Sequence, residues 1–245
     1  MITTIPEFKT RFQEIIDMGW IRTHRPGNTG IGKTLEDLLG ITENNIQGPD
    51  FGTYELKAAR LHSNSMLTLF TKSPQPKNAN TRLRLMYGYS SSAYDNDEKV
   101  LHATLNAATF TKIAGTGNSL KATYIKAGAS VPSDRIYIES QQGICDVYWD
   151  VDSLRKNFLK KYSDRLVYVK ADSRFSGAKE EFHYQEAYLC DGFHYDNFIN
   201  LLKSGKIYVD LRIGQYPDGR THDHGTGFRV KEHDQYLLFH RNRLV

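Results

Sequence analysis

Cysteine is nearly absent from this chain, with Cys145 and Cys190 the only two in 245 residues. They share no paired spacing, which excludes a disulfide framework or a cysteine-built zinc site and points to an intracellular setting. Long apolar runs are missing as well, so no stretch is suited to spanning a bilayer. The opening residues, Met-Ile-Thr-Thr-Ile-Pro-Glu, have neither the basic start nor the apolar core of a secretion signal. No internal repeat and no low-complexity tail interrupts the chain. Together these absences predict a cytoplasmic globular protein without membrane contact.

What is present is enough for a sizeable core. An apolar share of 39% with 12% aromatics, over 245 residues, suits one large domain or two lobes sharing a core. The formal charge of +4 is mildly basic. That balance is compatible with a polyanionic partner without requiring one, so where the charge lies matters more than its sum.

The stretch with the most chemistry is Gly48-Pro49-Asp50-Phe51-Gly52-Thr53-Tyr54-Glu55-Leu56-Lys57. Gly48-Pro49 signals a turn, and the residues after Gly52 read as a short strand. Alternation along a strand puts Glu55 and Lys57 on one face and Tyr54 and Leu56 on the other. An aspartate at the strand entrance, Asp50, can meet Glu55 over the first face. Two carboxylates there offer hard oxygen ligands to Mg²⁺, and the Lys57 ammonium can hold a water or stabilise charge on a phosphate. This is the minimum equipment for metal-assisted hydrolysis of a phosphodiester. Asp…Glu-x-Lys also occurs by chance in strands whose polar face is merely solvated, so the weight of the motif depends on its surroundings.

Upstream, Ile5, Phe8, Phe12, Ile15 and Ile16 have helical spacing, and Gly19 closes that helix. Gly27-Asn28-Thr29-Gly30-Ile31-Gly32-Lys33-Thr34 then matches the phosphate-loop pattern G-x-x-x-x-G-K-S/T letter for letter. Its context argues against a nucleotide triphosphate. The preceding Trp20 to Pro26 is polar and ends in proline, and the helix from Thr34 to Leu39 is short. A flexible basic glycine loop carrying Lys33 against DNA phosphates uses the same backbone chemistry and fits better. Glu36 and Asp37 in the first turn of that helix complement its positive end, or Glu36 joins Asp50 and Glu55 as a further acid.

Ser65 to Lys72 reads as a second strand, predicted to pair with the motif strand and to bring Lys72 near the site. Residues 73 to 99 read as a loop-rich junction between lobes. Lys206 to Ile213 alternates: Ile207, Val209, Leu211 and Ile213 face a core, leaving Tyr208, Asp210 and Arg212 opposite. Asp210 and Arg212 are either an intrastrand ion pair or an acceptor for cytosine and a bidentate donor for guanine. His222 and His224 flank Asp223 near Arg229, as metal ligands or as a DNA-reading loop. For zinc, His233 and His240 are only loose candidates for a third ligand.

In order along the chain, these segments resemble the MvaI/BcnI family of type II restriction endonucleases, related in plan to the mismatch-repair nickase MutH. The resemblance is carried by Gly27 to Thr34 with Glu36-Asp37-Leu38-Leu39, by Pro49-Asp50-Phe51, and by Glu55-Leu56-Lys57. It continues through Leu67 to Pro74, Val209 to Gly214, Thr221 to Thr226 and Phe228-Arg229, and is weak from about 86 to 165. It implies an α/β (α+β) fold with a PD-(D/E)xK restriction-endonuclease-like core, a mixed sheet flanked by helices in two lobes around a DNA cleft. Residues 1–95 would form the catalytic lobe and 96–245 the DNA-recognition lobe. The implied activity is Mg²⁺-dependent cleavage of double-stranded DNA at a short CC-N-GG-type site. The enzyme would act one strand at a time, as a monomer needing no protein partner, with a cognate DNA methyltransferase in the same system; the alternatives are a MutH-like nicking enzyme activated by a partner and a DNA-binding protein without catalysis.

By position, Asp50 and Glu55 would bind the metal, Lys57 would orient the attacking water, and Glu36 would match the extra acid of the MutH-like site. Asp210, Arg212, His222, His224 and Arg229 match the base-reading segment, with Lys33 and Lys72 as further DNA contacts. The His-Asp-His triplet and Thr71 are similar to the MvaI side of the family, which implies CCWGG (W being A or T).

Overall fold

A computed structural model describes residues 2–42, 49–62, 66–90, 99–162, 165–216, 218–223 and 225–245. Numbered along the chain, the first elements are α1 (Ile5–Asp17), β1 (Ile21–Arg22), α2 (Gly30–Leu38) and β2 (Tyr54–Arg60). Then come β3 (Leu67–Thr71), α3 (Ala79–Tyr87), β4 (Tyr89–Ser90), β5 (Lys99–Leu105), β6 (Thr111–Lys112) and β7 (Ser119–Ile125). They are followed by β8 (Arg135–Ser140), β9 (Gly143–Asp150), α4 (Val151–Lys161), β10 (Arg165–Ser176) and β11 (Lys179–Asp191). The chain closes with α5 (Tyr195–Lys203), β12 (Ile207–Gln215), β13 (Thr221–Asp223), β14 (Gly227–Val230) and β15 (His240–Arg243).

Two compact units emerge, each assembled from separate stretches of chain. The first comprises Met1–Ser65, Leu159–His194 and Gln235–Val245, and the second Met66–Phe158 and Tyr195–Asp234. Whereas the sequence suggests one boundary near residue 95, residues 66–95 lie in the second unit and residues 159–194 and 235–245 in the first.

The first unit is built on a sheet ordered β1-β11-β10-β2, with β15 also on β11. Only β2 and β10 run parallel; the other pairs are antiparallel. Helix α1 starts at a reciprocal cap, in which the Thr4 hydroxyl accepts from the Glu7 N–H and the Glu7 carboxylate accepts from the Thr4 N–H. Phe8, Phe12 and Ile15 then recur on one stripe and are fully buried. They pack with Ile31 and Leu35 of α2 onto Leu56, Val167, Val169 and Ala187 of the sheet. One face of this sheet is therefore dry, and the polar residues of β2 are left on the other.

The glycine stretch before β2 is not the loop expected from sequence. Gly30 to Lys33 form the first turns of α2, so Glu36 and Asp37 sit beyond its first turn. A methyl group at Gly30 would lie 2.3 Å from the Arg25 carbonyl oxygen and 2.5 Å from Thr23 Oγ1. The glycine is therefore explained by close packing of the helix start on the preceding turn.

In the second unit, one sheet runs β3-β14-β12-β5-β4 with β13 on β12, and another β6-β7-β8-β9. Contrary to the expectation from sequence, β3 does not pair with the motif strand. β3 pairs with β14, and β2 pairs with β10. The apolar sides of β3 and β14 supply Phe70 and Phe228, stacked at 5.1 Å, and Trp149 meets Phe228 edge-on at 5.7 Å. Phe158 and Phe198 complete this aromatic core. The supposed junction at 73–99 also contains a helix, α3, whose Leu83 and Arg84 are buried. The stretch from Thr221 to Arg229, read as a loop, contains β13 and β14.

Replacing Gly30→Ala should lower folding stability by about 1–3 kcal/mol, the usual cost of forcing extra volume into a packed contact. Urea unfolding measures it. An unchanged midpoint would contradict the close approach of α2 to residues 23–25.

Candidate active site

A tight turn at the entrance of β2 brings the motif carboxylates together. The Asp50 N–H donates to the Tyr54 carbonyl at 2.9 Å, and Phe51 and Tyr54 exchange two further backbone bonds. Gly52 takes φ +52, and a side chain there would meet the Thr3 carbonyl at 2.3 Å. The chain thus folds back, and Asp50 Oδ2 accepts the Leu56 N–H at 2.7 Å. That N–H is available because, among the described residues, β2 ends the sheet and pairs with β10 alone.

Glu55 is completely buried, on the polar face of the sheet, opposite Leu56. Its Oε1 accepts from two ammoniums, that of Lys57 and that of Lys161 at 2.8 Å. Its Oε2 is buried and finds no hydrogen-bond partner among the described residues. Burial, and next the charge of Glu55, push the Asp50 carboxyl above its ordinary range. Tyr162 lies fully buried beside both acids. Its hydroxyl is pushed well above its usual range, first by burial and then by the charges of Glu55 and Asp50.

These features fit a hard divalent cation. Two crowded carboxylates, one with an unpaired buried oxygen, are the donor set Mg²⁺ takes, with waters and substrate oxygens filling its remaining positions. Among the described residues no group of three His, Cys, Asp or Glu could hold a metal, so Glu36 is not gathered with Asp50 and Glu55. Glu36 is half-buried on α2, where its charge acts on the Tyr184 hydroxyl. Lys33 is paired with Asp37 at 2.7 Å, and Asp37 also meets His24 at 2.9 Å.

The second unit has its own polar cluster, on the sheet face opposite the aromatic core. Asp210 is fully buried, although the strand pattern alone leaves it on the outward face. Its Oδ1 accepts from the Thr104 hydroxyl at 2.6 Å, and its Oδ2 meets Arg212 Nε at 2.9 Å and Arg229 Nη2 at 3.1 Å. Gly227 lies opposite Asp210, and a methyl group there would come 3.2 Å from Arg229 Nε. The bare glycine leaves room for that guanidinium.

His222 packs on the Tyr216 ring at 4.3 Å. Asp223 accepts from Ser73 Oγ at 3.0 Å and from the Asn80 amide. Lys72, in this unit, donates its N–H to the Thr226 carbonyl, and its own carbonyl accepts from the Trp149 indole at 2.8 Å. His224 lies outside the described residues.

Sequence reasoning missed Lys161, Tyr162 and Thr104. A faint signal for Lys161 existed in Leu154 and Phe158, whose four-residue spacing marks the buried stripe of a helix ending in Lys160 and Lys161.

The mixed α/β fold is that of a restriction endonuclease. The chain is similar over its full length to the solved MvaI restriction endonuclease in complex with cognate DNA, at 33% identity and a TM-score of 0.85, covering 100% of both chains. The same enzyme solved without DNA matches at 32% identity and a TM-score of 0.58, with 100% and 99% covered. Residues 9–239 match the MvaI/BcnI restriction endonuclease family model, and the chain belongs to that family. No curated protein matches.

The Asp50 shift has a testable consequence. Because folding raises this carboxyl's pKa, its ionised form weakens the fold at neutral pH. The penalty vanishes once the group is protonated in both folded and unfolded states. In metal-free protein, Asp50→Asn should raise the melting temperature at neutral pH, with the gain fading as the pH falls toward about 4. A loss at neutral pH, or a gain independent of pH, would contradict this.

Proposed function

We propose that the protein is a Mg²⁺-dependent type II restriction endonuclease that hydrolyses double-stranded DNA at a CC-N-GG-type site, CCWGG in particular. The observation that carries this reading is the pair Asp50 and Glu55, with its unpaired buried oxygen, beside Lys57. Asp50 and Glu55 would hold the cation. When bound, Mg²⁺ supplies Lewis-acid polarisation of the scissile phosphate and a lowered pKa for a ligated water. Lys57 donates a hydrogen bond that orients the attacking water and offsets charge growing on the phosphate. The water oxygen bonds to phosphorus as the bond to the leaving sugar oxygen breaks.

In the second unit, the Asp210 carboxylate is already engaged by Thr104, Arg212 and Arg229. Its part in recognition is therefore to hold the two guanidiniums in place, with Arg212 placed as the bidentate donor to guanine. Arg229, His222 and His224 add base contacts, and Lys33 and Lys72 contact phosphates. Glu36 is a more distant contributor to the site.

A monomer with one active site cuts one strand per encounter, so a nicked circle should precede the linear product. No helix among the described residues is long and apolar enough to cross a membrane. The reading places the enzyme in the cytoplasm, with a DNA methyltransferase protecting the host's own sites.

Incubation with unmethylated plasmid and Mg²⁺, followed by sequencing of fragment ends, tests the reading directly. It predicts ends at CCWGG alone, preceded by nicked circles and abolished by a chelator. Intact plasmid, or ends scattered over unrelated sequences, would overturn it. Replacing Asp50→Ala should abolish cleavage with cognate binding kept. Arg212→Ala should weaken specific binding by about 1–3 kcal/mol while leaving non-specific binding in place. Equal loss on all sequences would remove Arg212 from base reading.

A further inference from the structure

Lys161 has no place in the Asp…Glu-x-Lys motif, yet it reaches the same carboxylate oxygen as the motif lysine. Its ammonium lies 2.8 Å from Glu55 Oε1, and its side chain remains 29% exposed. Lys57 meets the same oxygen. Glu55 is thus lopsided: one oxygen carries two ammoniums, and the other, equally buried, carries no partner among the described residues. Asp50 is bound through the Leu56 N–H, and its carboxyl is influenced by both lysines.

A helix-end lysine commonly does no more than complement the negative end of its own helix. Lys160 and Lys161 both occupy the last turn of α4, so position alone would suit either for that. Lys161, however, is committed to a buried carboxylate of the neighbouring sheet. Two acids and two ammoniums make the metal-free cluster of Asp50, Glu55, Lys57 and Lys161 formally neutral. A buried Glu55 without a divalent cation therefore has its charge compensated by lysine.

We infer that Lys161 is a positioning residue of the active site. Together with Lys57 it occupies Glu55 Oε1, so that Oε2 is the oxygen offered to the divalent cation. The inference rests on reading Asp50 and Glu55 as the cation-holding pair. Lys161 then has two effects of opposite sign. It weakens cation binding, because it is a like charge on a ligand of the cation and helps Lys57 to withhold one oxygen. It speeds cleavage, because it fixes which oxygen is presented. Removing it would leave Oε1 to Lys57 alone, so Glu55 carries less opposing charge and is held less firmly, giving tighter but misplaced binding.

The test compares unmodified protein with Lys161→Met, which keeps the length of the side chain without its charge, and with Lys161→Arg. Calorimetric titration of metal-stripped protein with Mn²⁺ alone should give Lys161→Met a dissociation constant lower by about fivefold, as a like charge is removed. Single-turnover DNA cleavage at saturating Mg²⁺ should fall by roughly tenfold or more, the scale expected for a small misplacement. Lys161→Arg should stay close to unmodified protein in both measurements.

Unchanged or weaker Mn²⁺ binding in a folded Lys161→Met protein would overturn the inference. Lys161→Gln provides a second neutral variant, and failure of both to fold would reassign Lys161 to stability alone. Unmodified protein that binds no Mn²⁺ and cuts no DNA would instead overturn the nuclease reading itself. If unmodified protein binds and cuts, and Lys161→Met matches it, only the role of Lys161 falls.

Discussion

A carboxylate with no exposure to water is costly unless positive charge compensates it, and Glu55 is in that position. Much of the first unit can be read as the means of meeting this constraint. Leu56 must enter the dry core built by α1, α2 and the sheet, and strand alternation then sends Glu55 and Lys57 to the other face. The turn at Gly52 folds Asp50 back over the strand end, where it accepts the Leu56 N–H. Lysines from β2 and from the end of α4 converge on one oxygen of Glu55. A carboxylate pair held this way by backbone and buried contacts would be pre-organised for the cation of the proposed reading.

The second unit meets the same problem with different chemistry. Asp210 is as buried as Glu55, but both of its oxygens are taken, by a hydroxyl and two guanidiniums. A saturated carboxylate is a poor ligand and a good anchor. Arginine suits the anchored position because its flat guanidinium can bond Asp210 along one edge and keep other N–H groups free in direction. On the proposed reading, the contrast between an unpaired Glu55 oxygen and a fully engaged Asp210 is that between a site for a cation and one that aims donors.

The parts readable from sequence were those set by local periodicity. The stripe of Phe8, Phe12 and Ile15 fixed α1, and alternation around Glu55 and around Val209 fixed β2 and β12 together with their buried faces. Pairing between distant strands could not be read this way. Nothing local in Leu67 to Thr71 says that its partner is β14 rather than the preceding strand. The Gly30 to Lys33 segment misled for a related reason. Glycines lower helix propensity, and the contact with Thr23 and Arg25 that demands Gly30 is a packing fact. Lys161 was invisible because it lies 106 residues from Glu55 in sequence and shares no motif with it.

The central claim is that Glu55 Oε2 and Asp50 form a cation site. Anomalous diffraction from crystals of the protein grown with Mn²⁺ tests it most directly. A single manganese peak against Asp50 and Oε2 of Glu55, absent from Glu55→Gln crystals, is the result expected. Manganese bound elsewhere, with Glu55 still held only by its lysines, would contradict it.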